Sequence, residues 1–144
     1  LFDSYFKPIR HTDWWEAESV NGISPEMVAD APYINEKAAE LYAILSQAHW
    51  IIGYNVDFDL KFLLGSDIIT SEEYNAFRTE DVMIQFAEIY GEYSVYHEDY
   101  KWQKLTTAAA YYDYDWNVKG IEAHNSLADC FATLFVYHKI LSGE

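Results

Sequence analysis

Two short stretches of this chain bring together the residue types that phosphodiester chemistry requires. Gly53-Tyr54-Asn55-Val56-Asp57-Phe58-Asp59 follows an apolar run, and His124-Asn125-Ser126-Leu127-Ala128-Asp129 opens a long amphipathic segment near the C-terminus. Cleaving a phosphodiester with water needs a nucleophile made at neutral pH and a way to hold the charge that builds on the phosphate. Two divalent ions about 4 Å apart supply both. Hard cations such as Mg2+ or Mn2+ take oxygen ligands, so carboxylates must converge from separate elements. Asp59 and Asp129 are the candidate metal ligands, and His124 is the candidate base, because a neutral imidazole can take a proton from water near neutral pH.

Spacing constrains where these groups can sit. At about 100° per residue, an interval of five places His124 and Asp129 roughly 140° apart on a regular helix, too far around to share a small site. His124 is therefore expected on the incoming loop, with Asn125 as N-cap and Asp129 in the first turns. Each residue also has a plainer reading. A single Asp at a helix start, such as Asp59, Asp81 or Asp129, commonly caps the helix, and His124 alone reads as an ordinary loop histidine. Asp57 reads as a solvated or capping group. Tyr90, Tyr93, Tyr96, Tyr100 and Trp102 are suited to stacking bases, but in a chain with 13 tyrosines they also fit a packed or merely exposed cluster.

The elements that must position these groups follow from periodicity and caps. Leu1 to Lys7 reads as a strand that stops at Pro8. Ser24-Pro25-Glu26-Met27 starts a short helix that ends before Pro32, and a second helix runs from about Asn35 to Ala48, burying Ala38, Leu41, Ile44 and Leu45. His49 to Tyr54 has the pattern of a buried strand of a parallel sheet. A helix then follows, with Phe58, Phe62 and Leu63 facing inward, to a turn at Gly65-Ser66-Asp67. Ser71 caps a short helix over Glu72 to Phe77, Asp81 caps another through about Tyr90, and further helices are predicted near Gln103 to Tyr111 and over about Asn125 to Leu141. Gly91 to Trp102 and Asn117 to Glu122 read as loops. The alternation predicts a layered α/β domain, short of sheet because only two strands are clear.

At 144 residues the chain is expected to form one domain, residues 1–144, around a single core. Its apolar runs are far shorter than the roughly 20 residues that span a bilayer, so no membrane partner is expected. Cys130, the one cysteine, is predicted to pack as a small buried residue, which suits a reducing, cytoplasmic setting. The net charge of -15 argues against a broad electrostatic grip on nucleic acid. Any grip has to be local or metal-mediated.

Taken together, these segments resemble the DnaQ-like 3′–5′ exonucleases of the DEDDh class, the family of the proofreading subunit of a bacterial DNA polymerase. Asn21-Gly22-Ile23-Ser24-Pro25-Glu26-Met27-Val28 is similar to the family's Gly-Ile turn and following helix. Gly53 to Asp59 is similar to its second motif, and His124 to Asp129, continuing into Ala132-Thr133, to its third. The resemblance implies a ribonuclease H-like fold, a mixed β-sheet flanked by helices, and Mg2+ or Mn2+ as cofactor. It assigns Asp59 and Asp129 as metal-binding acids and His124 as general base. Asn55 and Phe58 would line the groove for the terminal nucleotide, Gly22 and Ile23 would approach its base or sugar, and Asp81 would be structural. The expected partner is a DNA or RNA 3′ end, together with a DNA polymerase or other replication protein.

The sequence departs from the family in its first motif. No Asp-x-Glu occurs anywhere in the chain, and Glu16 and Glu18, two apart, follow Trp14-Trp15 in a stretch that reads as a loop. The chain is expected to begin at the family's third strand, truncated at its N-terminus and lacking the first strands. These 144 residues are then expected to be inactive, whereas the complete protein would be an exonuclease. The alternatives are a non-catalytic nucleic-acid-binding or protein-interaction module on the same scaffold, or a homo-oligomer paired through exposed strand edges.

Overall fold

The computed structural model describes residues 2–116 and 125–143. They form two compact units, Leu1–Ala48 with Lys61–Ala76, and His49–Leu60 with Phe77–Glu144.

In the first unit, residues 2–7 form no strand. The expected strand is absent because this stretch meets no strand partner among the described residues: its ties to the rest of the unit include the Lys7 N–H to the Pro32 carbonyl (2.9 Å) and the Lys7 ammonium to the Ala29 carbonyl (3.0 Å). An extended segment without a ladder leaves its backbone groups to water. The stretch read as a loop around Glu16 and Glu18 is helix α1 (Trp15–Asn21), closed by Gly22 at φ 70°. Glu26–Val28 is a single 3-10 turn, and Ile34–Lys37 is another that leads into α2 (Ala38–Gln47). Ala38, Leu41 and Leu45 of α2 are partly buried, but Ile44 is exposed, contrary to its expected place inside. Helix α4 (Ser71–Ala76) is capped by Thr70 rather than by Ser71: the Thr70 hydroxyl accepts from the Glu73 N–H (3.2 Å), and the Glu73 carboxylate accepts from the Thr70 N–H (2.8 Å). This reciprocal pair is a capping box.

In the second unit, β1 (Ile51–Gly53) pairs in parallel with β2 (Thr79–Asp81), in the register Ile51 to Thr79, Ile52 to Glu80 and Gly53 to Asp81. The parallel strand is as expected, but it is shorter and less buried: Trp50 and Ile52 stay exposed, because β1 has a ladder on one edge only among the described residues. Helix α3 (Val56–Gly65) starts three residues beyond β1, its residues Val56–Leu60 counted with this unit and those from Lys61 on with the first. Its buried residues are Val56 and Leu60, while Phe58 and Phe62 are 66% and 58% exposed, which corrects the predicted inward face. The helix carries two apolar stripes at i, i+4 spacing, and its anchored start selects the Val56–Leu60 stripe for the interior.

Helix α5 (Val82–Tyr90) ends at Gly91, at φ 78°. The aromatic stretch expected as a loop holds an antiparallel hairpin, β3 (Tyr93–Ser94) and β4 (Asp99–Tyr100). Helices α6 (Leu105–Tyr111) and α7 (Ser126–Ser142) complete the unit. Its core is Val82, Phe86, Ala108, Tyr112 and Val136, flanked by Tyr54, Phe135, Tyr137 and Ile140. The fully buried Phe86 ring meets Tyr111 and Tyr112 edge-on at 5.4 and 6.0 Å. Cys130 is exposed, not buried, because α7 turns Ala128, Ala132 and Val136 inward and an offset of two residues from Ala128 lies on the far side. Asn117 to Glu122 lies outside the described residues.

Candidate functional site

The Gly53–Asp59 motif is a strand end converted into a helix start. At Gly53, a Cβ would lie 2.9 Å from the Val56 Cβ, so only glycine lets the strand end approach the helix this closely. Asn55 then reverses the chain at φ 65°, a left-handed conformation that Asn tolerates better than most residues. Its carbonyl accepts from the Phe58 N–H (3.0 Å), which opens the first turn.

Asp81 holds this turn in place. Its Oδ1 accepts from the Asn55 N–H and the Met83 N–H, both at 3.0 Å, and its Oδ2 accepts from the Val56 N–H at 3.1 Å. One carboxylate therefore caps α5, as its own N-cap, and also the start of α3, 25 or more residues away in sequence. The structural role expected for Asp81 is present and wider than expected. No local signal announces it, because the second cap is made across the β1–β2 ladder.

Asp59 lies in the first turn of α3 and is exposed. Although the residue is exposed as a whole, partial desolvation of its carboxyl raises its pKa from the ordinary value, and repulsion from the Asp81 carboxylate raises it further. The folded state thus holds this proton more tightly than the unfolded chain does. The stability gained this way is present below the unfolded pKa and is lost as pH rises through the elevated folded value. Asp59→Asn is therefore expected to raise Tm slightly at pH 7 and to leave it unchanged in acid, read by thermal melts at both pH values. A fall in Tm at pH 7 would show that the charge is stabilised there.

Tyr54, between Gly53 and Asn55, donates its hydroxyl to the Gln103 carbonyl (2.8 Å). Burial, with Asp81 as the smaller cause, pushes its phenol far above the ordinary tyrosine range, so it stays a proton donor. Asp57 is exposed.

Helix α7 begins at Ser126 behind an Asn125 N-cap, whose side chain accepts from the Leu127 N–H (2.9 Å). Asn125 therefore caps this helix as predicted, and Asp129, partly buried, lies in the first turn, its N–H donating to the Asn125 carbonyl (3.0 Å). His124 lies outside the described residues. Strand β1 packs against α7, so both acid-bearing helix starts belong to one packed unit. Gly22 and Ile23 belong to the first unit, where the Ile23 carbonyl accepts from the Trp14 indole N–H (2.7 Å).

A sequence model of the RNase T exonuclease family matches residues 1–137. The chain belongs to the DnaQ-like exonuclease family. Its mixed α/β architecture is that of a ribonuclease H-like exonuclease domain. Among curated proteins no relative matches the chain.

Exonucleases of this family generally use Mg2+ or Mn2+. The donor set described in this exonuclease domain falls short of that requirement: among the described residues, no three His, Cys, Asp or Glu side chains are grouped to hold a metal ion. Asp81 adds no donor, since both its oxygens are engaged by backbone N–H groups. Two first-turn carboxylates, Asp59 and Asp129, do not by themselves satisfy a pair of hard cations, which take six or more oxygens each. Among the described residues, no helix is long and apolar enough to cross a membrane.

Proposed function

We propose that the site formed by Asp59, Asp129 and His124 removes nucleotides from the 3′ end of DNA or RNA, in the DEDDh manner, releasing nucleoside 5′-monophosphates. The observation that carries this reading is the pair of helix starts, α3 and α7, each carrying an Asp in its first turn, in one unit of a chain of the exonuclease family. A water oxygen attacks phosphorus as the bond to the O3′ of the penultimate nucleotide breaks; His124 takes the proton that the attacking water gives up, and the leaving O3′ takes a proton from solvent water to become the new 3′-hydroxyl. Asp59 and Asp129 present anionic oxygens to the site, while Asn55 shapes the turn and the exposed Phe58 offers a ring to the terminal base.

By the same reading, the 144 residues alone are inactive, because they contain no Asp-x-Glu to complete the acidic set. The test uses end-labelled single strands and two proteins: this chain, and the chain lengthened at its N-terminus by a strand carrying Asp-x-Glu. Shortening from the 3′ end by the lengthened protein, abolished by chelator, is expected. No shortening by either protein would reject the nuclease reading, and shortening by the 144-residue chain would reject its predicted inactivity.

A second reading, a module that binds a strand or a protein without cutting, is favoured by the shortage of grouped acidic donors among the described residues. Strand binding in chelator, with no cleavage by the lengthened protein in Mn2+, would select it.

A further inference from the structure

The β3–β4 hairpin carries a dense aromatic surface that the cleavage site does not use. Tyr93, Tyr96, Tyr100 and Trp102 are all exposed, Tyr96 at 90% and Trp102 at 63%. Ser94, His97, Asp99, Tyr100, Lys101 and Trp102 line a cavity of about 530 Å³, within the range of small-ligand sites.

The hairpin is held in shape. Tyr93 and Tyr100 are directly paired across the strands, and their rings meet edge to face at 5.5 Å. The Lys101 N–H donates to the Glu92 carbonyl (2.8 Å), the Lys101 ammonium pairs with the Glu92 carboxylate (2.6 Å), and the His97 N–H donates to the Ser94 hydroxyl (3.3 Å). Its exit is tied to the cleavage motif, since Gln103 accepts the Tyr54 hydroxyl, one residue before Asn55.

Charge decides what can occupy such a cavity. The chain carries -15, the one lysine lining the cavity is paired with Glu92, and Asp99 lines the cavity with Glu98 beside it in the chain, so phosphates are repelled here. A strand held at this hairpin must be held by its bases. Every base offers a π-face to an aromatic ring, and a carboxylate, a hydroxyl and an imidazole can all meet a base edge.

We propose that this hairpin is a stacking platform for unpaired nucleotides of the substrate strand. One base enters the cavity beside Tyr100 and Trp102, its edge toward Ser94, His97 and Asp99 and its phosphate outward, and Tyr96 at the tip offers a ring to a neighbouring base. The proposal rests on the nuclease reading, since it names where that site's strand is gripped.

The test is fluorescence anisotropy of a short labelled single strand in chelator, across a salt series, with this chain and with Trp102→Ala, Tyr96→Ala and Trp102→Phe. Trp102→Ala and Tyr96→Ala are each expected to weaken binding by about 5- to 100-fold, with Trp102→Phe close to wild type. The salt dependence should be shallow, because few phosphates are neutralised. No binding by the wild type, or undiminished affinity in both alanine variants, overturns the platform, even if the rings prove to dock a protein instead. Because binding is read without cleavage, the two failures separate: intact 3′ shortening with unaffected ring variants sinks the platform alone, whereas ring-dependent binding without any shortening supports the platform and sinks the cleavage reading.

Discussion

In the protein lengthened by an Asp-x-Glu strand, His124→Ala and Asp129→Ala are each expected to lower the rate of 3′ shortening by about 10²- to 10⁴-fold, the range for removing a general base or a partner that acts with it. The loss should appear in kcat, because neither side chain is assigned to gripping the strand. Asp129→Ala should leave α7 folded, since the Asn125 cap remains and alanine is a good helix former. Helical circular dichroism close to wild type, with turnover nearly abolished, is the expected pairing. For His124→Ala, the residual rate should also lose its dependence on pH around neutrality. Turnover at the wild-type level in either variant removes that residue from the mechanism.

Asp81→Ala is expected to destabilise the chain by about 2–4 kcal/mol, because it removes two helix caps and leaves three backbone N–H groups without their charged acceptor. Against a usual total of about 5–15 kcal/mol this is a large share. Urea denaturation should show it as a lower midpoint with an unchanged slope. Asp81→Asn should lose less: its one amide oxygen can still accept from Asn55 and Met83, but its amide nitrogen faces the Val56 N–H, donor against donor. A loss below about 1 kcal/mol in the alanine variant would mean that the double cap is not what holds the strand end to the helix start. The substitution should also loosen the turn that places Asp59, so activity should fall even where the chain is still folded.

What the sequence made legible was mostly local. Asp81 ahead of α5 and Asn125 ahead of α7 are capping signals read within three residues of the groups they serve, and both caps are present. The apolar run after His49 likewise identified the parallel strand. What stayed hidden depends on partners distant in the chain. Thr79-Glu80-Asp81 is polar and three residues long, and it is a strand only because β1 lies alongside it. The double cap by Asp81 needs that ladder before it can form. The rotation of α3 could not be read from periodicity, because Val56–Leu60 and Phe58–Phe62 are rival stripes and the Asp81 anchor decides between them. Cys130 misled for the same reason, its apolar neighbours marking a helix without fixing which way that helix faces. Of the candidate site, the two acid-bearing helix starts were legible, and the structure supplies for each the cap that sets where its first turn begins.

The proposed site requires that Asp59 and Asp129 face one cation, and two carboxylates are too few to hold a pair. Calorimetric titration of the 144-residue chain with Mn2+ tests it most directly. The account predicts one weakly held ion at most, lost in both Asp59→Ala and Asp129→Ala. Two tightly held ions, or one whose affinity is indifferent to both substitutions, would contradict it.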